Sequence, residues 1–142
     1  EKGFVLTIDY GYPSSELYQT QHRLGTIVCY NKHTVNDLPY QNIGLQDITA
    51  HVNFSALKFW GTKHGLSNCG FTDQSQFLLG LGLTEHLRKL EKYEKDHFDV
   101  SKKLLMLHTF LMSMGKKFKV LIQQKGLNMP VLSGLQFCQR LI

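Results

Sequence analysis

Residues 3–11 read GFVLTIDYG, an almost unbroken run of apolar and β-branched side chains that ends in an acid, a tyrosine and a glycine. Runs of this kind are typical of a parallel strand that is buried on both faces of a sheet. Open parallel sheets bind their ligands beyond the carboxyl ends of the strands. We therefore expect Asp9, Tyr10 and Gly11 to lie at a cleft. The alternative is that Asp9 only caps the turn that follows.

Two further strands are predicted downstream, over residues 66–72 and 117–124. The segment between them, residues 74–113, has helical patterns. Its part from 104 to 112 is apolar on nearly all sides, which predicts a buried helix. The order of strands and helices predicts an α/β fold. A sheet of about three strands would be incomplete at both edges, which indicates that an N-terminal half is missing.

Composition and charge argue against several kinds of partner. The chain has 142 residues and a formal net charge of +5. Its basic residues are scattered and form no stripe with aromatic residues, so we expect no nucleic-acid partner. No apolar run approaches the roughly 20 residues that cross a bilayer, so we expect no membrane segment. Cys29, Cys69 and Cys138 lie far apart in the sequence, which favours free thiols over a metal or disulfide framework.

A second group of polar residues comprises His33, Asp47, Thr49 and His51. Asp47 and His51 could act together as a general base. His33, Asp47 and His51 could instead hold the metal of a hydrolase. Purely structural roles for the two histidines are the third interpretation. The sequence has no G-x-S-x-G elbow and no P-loop, so nothing in it favours a serine hydrolase or a nucleotide hydrolase.

Five blocks of sequence, spread over most of the chain, share their pattern with one known family. They are GFVLTIDYG (3–11), an R-x-G-T…Y-x-x-H segment (23–33), GLQDITAHVNF (44–54), GFTDQSQFLLGLGL (70–83) and MGKKFKVL (114–121). In order and in register they resemble the MidA family of S-adenosylmethionine (SAM)-dependent methyltransferases. The mitochondrial member of that family is a complex I assembly factor that methylates protein arginine.

One position departs from the family pattern. The family usually has Asp where this chain has Asn53. A helix is predicted over residues 54–63, and Asn serves as well as Asp at a helix N-cap. We therefore expect the difference to leave activity intact.

The resemblance implies a class I, Rossmann-like methyltransferase sheet of seven strands. Residues 1–142 would form the C-terminal half of one such domain and supply its last three strands, with 74–113 as a helical insertion. The family's main SAM-binding motifs and its Asn-Glu pair would lie upstream of Glu1. SAM would be the cofactor of the full-length parent, no metal would be needed, and this fragment alone would be inactive.

The resemblance also implies how an arginine acceptor would be held. Carboxylates fix a planar guanidinium by accepting paired hydrogen bonds. Asp47, His51 and Asp9 form the expected catalytic set. The residues expected to line the cleft or orient the substrate are Tyr10, Gly11, His33, Thr49 and Gln74.

The expected partner is a protein substrate, and a homodimer is a second expectation. The full-length protein would be located in the cytoplasm if bacterial and in the mitochondrial matrix if eukaryotic. A non-catalytic protein-interaction or assembly-factor module is the main alternative to a methyltransferase, and the metal-dependent hydrolase is another.

Overall fold

The computed structural model describes residues 2–93, 97–128 and 130–138. Within these residues the strands are β1 Gly3–Tyr12, β2 Val28–Asn31, β3 Thr34–Asn36, β4 Asp47–Thr49, β5 Val52–Asn53, β6 Ser67–Asp73 and β7 Phe118–Lys125. The α-helices are α1 Ser14–Leu17, α2 Phe54–Lys63, α3 Gln74–Gly80, α4 Leu83–Tyr93, α5 His97–Met112 and α6 Met114–Lys117.

The larger sheet is mixed and has the strand order β5-β1-β7-β6. β7 pairs antiparallel with β1 along the whole of residues 3–10, and antiparallel with β6 on its other side. β1 and β6 therefore run parallel to each other, with the reversed strand β7 between them. The short strand β5 extends the sheet next to Gly11 and Tyr12, parallel to β1.

β7 is the buried centre of this sheet because a strand flanks it on each side. Its residues 120–124 are all buried, including two glutamines. Buried polar groups need hydrogen-bond partners. The Nε2 of Gln123 donates to Oδ1 of Asn68 over 2.8 Å, and Oε1 of Gln124 accepts from the backbone N–H of Leu127 over 2.8 Å.

The prediction that residues 3–10 form a parallel strand buried on both faces is wrong in two respects. The long partner of β1 is the antiparallel β7. The side chains of Phe4 and Leu6 are 50% and 51% exposed. An apolar run indicates that a strand is suited to burial, but the described residues provide no second long partner for β1 and leave its side chains half-covered.

The other two predicted strands are present as β6 and β7, and helices α3, α4 and α5 lie between them. The predicted number of about three strands is too low for the larger sheet, because β5 adds a fourth strand. A separate antiparallel sheet of order β3-β2-β4 lies between β1 and α2 in the sequence. We call it the small sheet.

The predicted burial of the helix over residues 104–112 is also wrong for the described part of the chain. Leu105 and Met106 of α5 are 67% and 65% exposed, and Met112 is 57% exposed. The described neighbours of α5 are the helices α3, α4 and α6. They cover only part of its circumference, so an all-round apolar sequence does not lead to all-round burial here.

Asn53 is the N-cap of α2, as predicted. Its Oδ1 accepts from the backbone N–H of Ala56 over 3.0 Å and from the hydroxyl of Ser14 over 3.0 Å. Its Nδ2 donates to the hydroxyl of Tyr18 over 3.2 Å. One side chain therefore joins the start of α2 to the turn after β1.

Replacing Asn53 with alanine is expected to lower the free energy of unfolding by about 1–2 kcal/mol, because the cap and its tertiary partners are lost. Asn53→Asp keeps an acceptor for Ala56 and Ser14, so its loss of unfolding free energy should be less than half of that of Asn53→Ala. Activity should be unchanged. Urea denaturation of both variants measures the difference. Equal stability of Asn53→Ala and the unchanged protein would contradict the capping role.

None of the helices in the described residues combines the length and the apolar composition that a membrane crossing requires.

Candidate active site

A pocket of about 740 Å³ lies at the carboxyl end of β1. We call it the Asp9 pocket. This is the end of a strand at which open α/β sheets bind ligands. Its lining comes from β1, from the small sheet and the residues after it, and from α6: Asp9, Tyr10, Tyr12, Val28, Tyr30, Thr49, Ala50, His51, Met114 and Lys117.

Asp9 is the one acid among the described residues of this lining. It is exposed, and its Oδ1 accepts a hydrogen bond from the backbone N–H of Tyr10 over 2.7 Å. The ring of Tyr10 packs on its cross-strand neighbour Phe118, with ring centroids 4.0 Å apart. The pairing of β1 with β7 thus holds the Tyr10 ring in place beside the Asp9 carboxylate. The second oxygen of that carboxylate is available to a ligand.

His51 brings an imidazole to the same pocket. Its backbone N–H donates to Oγ1 of Thr26 over 3.1 Å. The Tyr12 ring lies 5.1 Å from the His51 ring and 5.0 Å from the His22 ring, centroid to centroid. Nδ1 of His51 and Nε2 of His22 are buried with no hydrogen-bond partner in the described part of the chain. Because unpaired buried polar atoms are costly, these two nitrogens are places where a ligand or a water would be stabilised.

Asp47 lines a different pocket, of about 530 Å³, which we call the Asp47 pocket. Tyr30 belongs to the linings of both pockets, and Thr49 belongs to the lining of the Asp9 pocket. The remaining residues around the Asp47 pocket are Asn31, Lys32, Asn42, Gly44, Leu45 and Gln46. The two expected acids therefore line two different pockets, which share Tyr30.

Three of the expected substrate residues line neither pocket. His33 lies in the turn between β2 and β3, is exposed, and has a φ of 66°. Gln74 begins α3, and its Oε1 is buried without a hydrogen-bond partner in the residues described. Gly11 is buried, and a Cβ placed on it would lie 2.2 Å from the carbonyl oxygen of Val52. The close approach that this glycine permits is to β5.

Sequence reasoning missed Tyr12, Tyr30 and His22. Tyr12 lies beyond the run of residues 3–11 from which the first strand was predicted, whereas β1 continues through it. A signal for it existed, because Tyr12 follows Tyr10 at the two-residue spacing that puts side chains on one face of a strand. Nothing in the sequence near His22 indicates that it packs against Tyr12.

The three cysteines are free thiols. Cys69 and Cys138 line another cavity, of about 510 Å³, between β6 and residues 130–138. Burial raises the pKa of the Cys69 thiol above its ordinary value, so the reactive thiolate is disfavoured there.

Comparison with known proteins decides the family. A family model described as "Putative S-adenosyl-L-methionine-dependent methyltransferase" matches residues 1–72, just over half of the 142-residue chain. The chain belongs to the MidA family of SAM-dependent methyltransferases. A curated relative, the mitochondrial protein arginine methyltransferase NDUFAF7 homolog of Caenorhabditis elegans, is 32% identical over 82% of this chain.

Two crystal structures from Burkholderia thailandensis have the fold of this MidA-family chain. One is a superfamily member bound to S-adenosyl-homocysteine, which is 35% identical and superimposes on 98% of the chain with a TM-score of 0.82. The other, an uncharacterized protein of the same superfamily, is 35% identical over 99% of the chain with a TM-score of 0.84. The α/β methyltransferase-like fold is thereby established.

The MidA-family chain spans only part of these relatives. It covers 26% of the length of the C. elegans protein, and 36% and 37% of the two crystal structures' chains.

The hydrolase alternative finds no support in this geometry. His33, Asp47 and His51 would have to meet around one metal ion, yet no group of three His, Cys, Asp or Glu side chains suited to a metal occurs among the residues that the structure describes. His33 also lines neither pocket.

The residues of the MidA-family chain fit one side of a SAM site better than the whole of it. A nucleotide is commonly held by a glycine-rich turn after a strand, at the start of a helix. No turn of that sequence occurs in residues 1–142. The Asp9 pocket instead offers a carboxylate, an imidazole, three tyrosines and the amino group of Lys117.

Proposed function

We propose that this chain supplies the acceptor side of a SAM-dependent methyltransferase active site and that the acceptor is protein arginine. The observation that carries the proposal is the Asp9 pocket, which the carboxylate of Asp9, the imidazole of His51 and three tyrosines line at the end of a sheet strand. The printed name of the C. elegans relative supports arginine as the acceptor.

The proposal assigns the strands to a seven-stranded class I sheet. β1, β6 and β7 are its fifth, sixth and seventh strands, and helices α3 to α5 are an insertion between the last two. The support for this is a reversed strand, β7, placed between two mutually parallel strands. The chain is then the C-terminal half of one domain, and the half-exposed apolar side chains of β1 are covered by the other half.

Four side chains of the Asp9 pocket have a part in this function. The methyl group would come from SAM, held mainly by residues outside this chain, and its S–C bond would break as the new N–C bond forms, leaving S-adenosyl-homocysteine. Asp9 accepts hydrogen bonds from the guanidinium and fixes its plane. The faces of Tyr10 and Tyr30 cover the cation and exclude water. The guanidinium nitrogen that becomes methylated loses one proton, which passes to the imidazole of His51 as general base.

Where the full-length protein is located follows from its source. We propose the mitochondrial matrix for a eukaryotic protein, in line with the name of the C. elegans relative, and the cytoplasm for a bacterial one.

Titration of the isolated chain with SAM in a calorimeter is expected to give no binding heat, because the motifs that hold the nucleotide lie elsewhere. The full-length parent, titrated under the same conditions, should bind SAM and serves as the matched control. Equal affinity in the two titrations would show that the acceptor-side assignment is wrong.

A non-catalytic interaction module is the second candidate function. The half-exposed apolar side chains of β1, including Phe4, Leu6 and Ile8, favour it, because such a surface also suits a partner protein or a second copy of the chain. Titration of the parent with SAM, together with a methyl-transfer assay, discriminates the two functions. A parent that binds a protein partner but neither binds SAM nor transfers a methyl group supports the module.

A further inference from the structure

One face of the small sheet joins the Asp9 pocket to the Asp47 pocket. Across the β2–β4 pair, Tyr30 is opposite Asp47 and Val28 is opposite Thr49. Residues directly opposite each other in a sheet have their side chains on the same face. Val28, Tyr30 and Thr49 line the Asp9 pocket, and Tyr30 and Asp47 line the Asp47 pocket. The two pockets therefore follow one another along this face, with Tyr30 as the wall between them.

One residue from each pocket lies on β4, and the two are spaced like side chains on one face of an extended peptide. Thr49 and Asp47 are two residues apart on β4, which corresponds to roughly 6.7 Å along a strand. An extended polypeptide repeats its side chains on one face with the same period. If its arginine occupies the Asp9 pocket, the side chain two residues away reaches the Asp47 pocket.

The charge of the Asp47 pocket is available to a ligand. Asp47 is exposed, and its carboxylate makes no hydrogen bond or ion pair with any described residue. Lys32 lines the same pocket without forming an ion pair with Asp47. Beside them, Tyr30 and its β3 neighbour Val35 are 46% and 64% exposed. A carboxylate next to half-open apolar surface suits a long basic side chain, whose stem packs while its charged end is paired.

We propose that Asp47 and Tyr30 form a second acceptor subsite, which binds a lysine or arginine two residues away from the methylated arginine of an extended polypeptide. The inference rests on the proposed function. It makes Asp47 a specificity-determining residue that binds the acceptor outside the reaction centre, in place of the catalytic acid expected from the sequence.

The test uses the full-length parent and peptides that contain a single methylatable arginine. Each peptide has either lysine or glutamine at the position two residues before or two residues after this arginine. All peptides are acetylated at the N-terminus so that the backbone charge is constant. For one of the two positions, the lysine peptide should have a kcat/KM about fivefold higher than its glutamine counterpart, since exposed ion pairs contribute modestly. The higher kcat/KM of the lysine peptide should come from a lower KM. Asp47→Asn should remove this preference without changing kcat, and Asp47→Lys should favour a glutamate peptide instead.

Asp37→Asn is the matched control, because Asp37 is an exposed acid just after β3 that lines neither pocket. It should keep the lysine preference. Equal use of lysine and glutamine peptides at both positions by the unchanged enzyme would overturn the subsite and leave the proposed function intact. A collapse of kcat in Asp47→Asn with every peptide would return Asp47 to the reaction centre. Absence of transfer to any arginine acceptor would contradict the proposed function, and the subsite would fall with it.

Discussion

Asp9→Asn is expected to lower kcat/KM for an arginine acceptor by about 10- to 100-fold in the full-length parent, with SAM affinity unchanged. Asp9 is the one acid in the described lining of its pocket. The substitution keeps the shape of the side chain and removes its charge. A hydrogen bond to a charged group contributes about 1.5–3 kcal/mol, and each 1.4 kcal/mol is about tenfold in rate.

Initial rates with radiolabelled SAM measure the loss, and calorimetry with SAM checks that the cofactor still binds. Asp37→Asn removes the same charge from an exposed position outside the pocket and should leave the rate within twofold of normal. A rate for Asp9→Asn that matches this control, with SAM bound normally, would exclude Asp9 from the reaction centre.

Gly11→Ala is expected to destabilise the full-length parent by about 3 kcal/mol or more, the upper end of the range for overpacking a core. The added methyl group would lie 2.2 Å from the carbonyl oxygen of Val52 and 2.8 Å from Cε2 of Phe54, whose side chain is 1% exposed. A backbone oxygen in a strand pair has little freedom to withdraw, so β5 would have to separate from β1.

Gly3→Ala provides the control on the same strand, since a Cβ at Gly3 meets nothing within 4 Å. Thermal unfolding of the parent, followed by circular dichroism, should show a melting temperature about 4 °C lower for Gly11→Ala and little change for Gly3→Ala. Equal melting temperatures would mean that Gly11 is not required for strand packing.

Local signals in the sequence predicted local structure well. The helix over residues 54–63 and its cap at Asn53 were both identified from the residues at its ends, and α2 has these bounds. The partner of β1 could not be found in this way. Strand pairing joins distant parts of the chain, and nothing within residues 3–11 distinguishes an antiparallel neighbour from a parallel one.

The lining of the Asp9 pocket, too, was predicted only in part, for the same reason. Asp9, Tyr10, Thr49 and His51 do line one pocket, two of them from β1 and two from the segment around β4. The position of Asp47 depends on the register of β4 against β2, which a single sequence does not determine. The approach of His22 to Tyr12 depends on how the chain folds back after α1.

The position of β7 has a consequence for how such a protein is made. β1 and β6 leave the ribosome before β7 and have no hydrogen bonds to each other, since β7, which joins them, is synthesised after both. Until residues 118–125 emerge, the half-built sheet exposes two unsatisfied edges and a row of apolar side chains. We expect the nascent chain to depend on a chaperone during this interval, since long-range pairings form slowly and leave such edges open to aggregation.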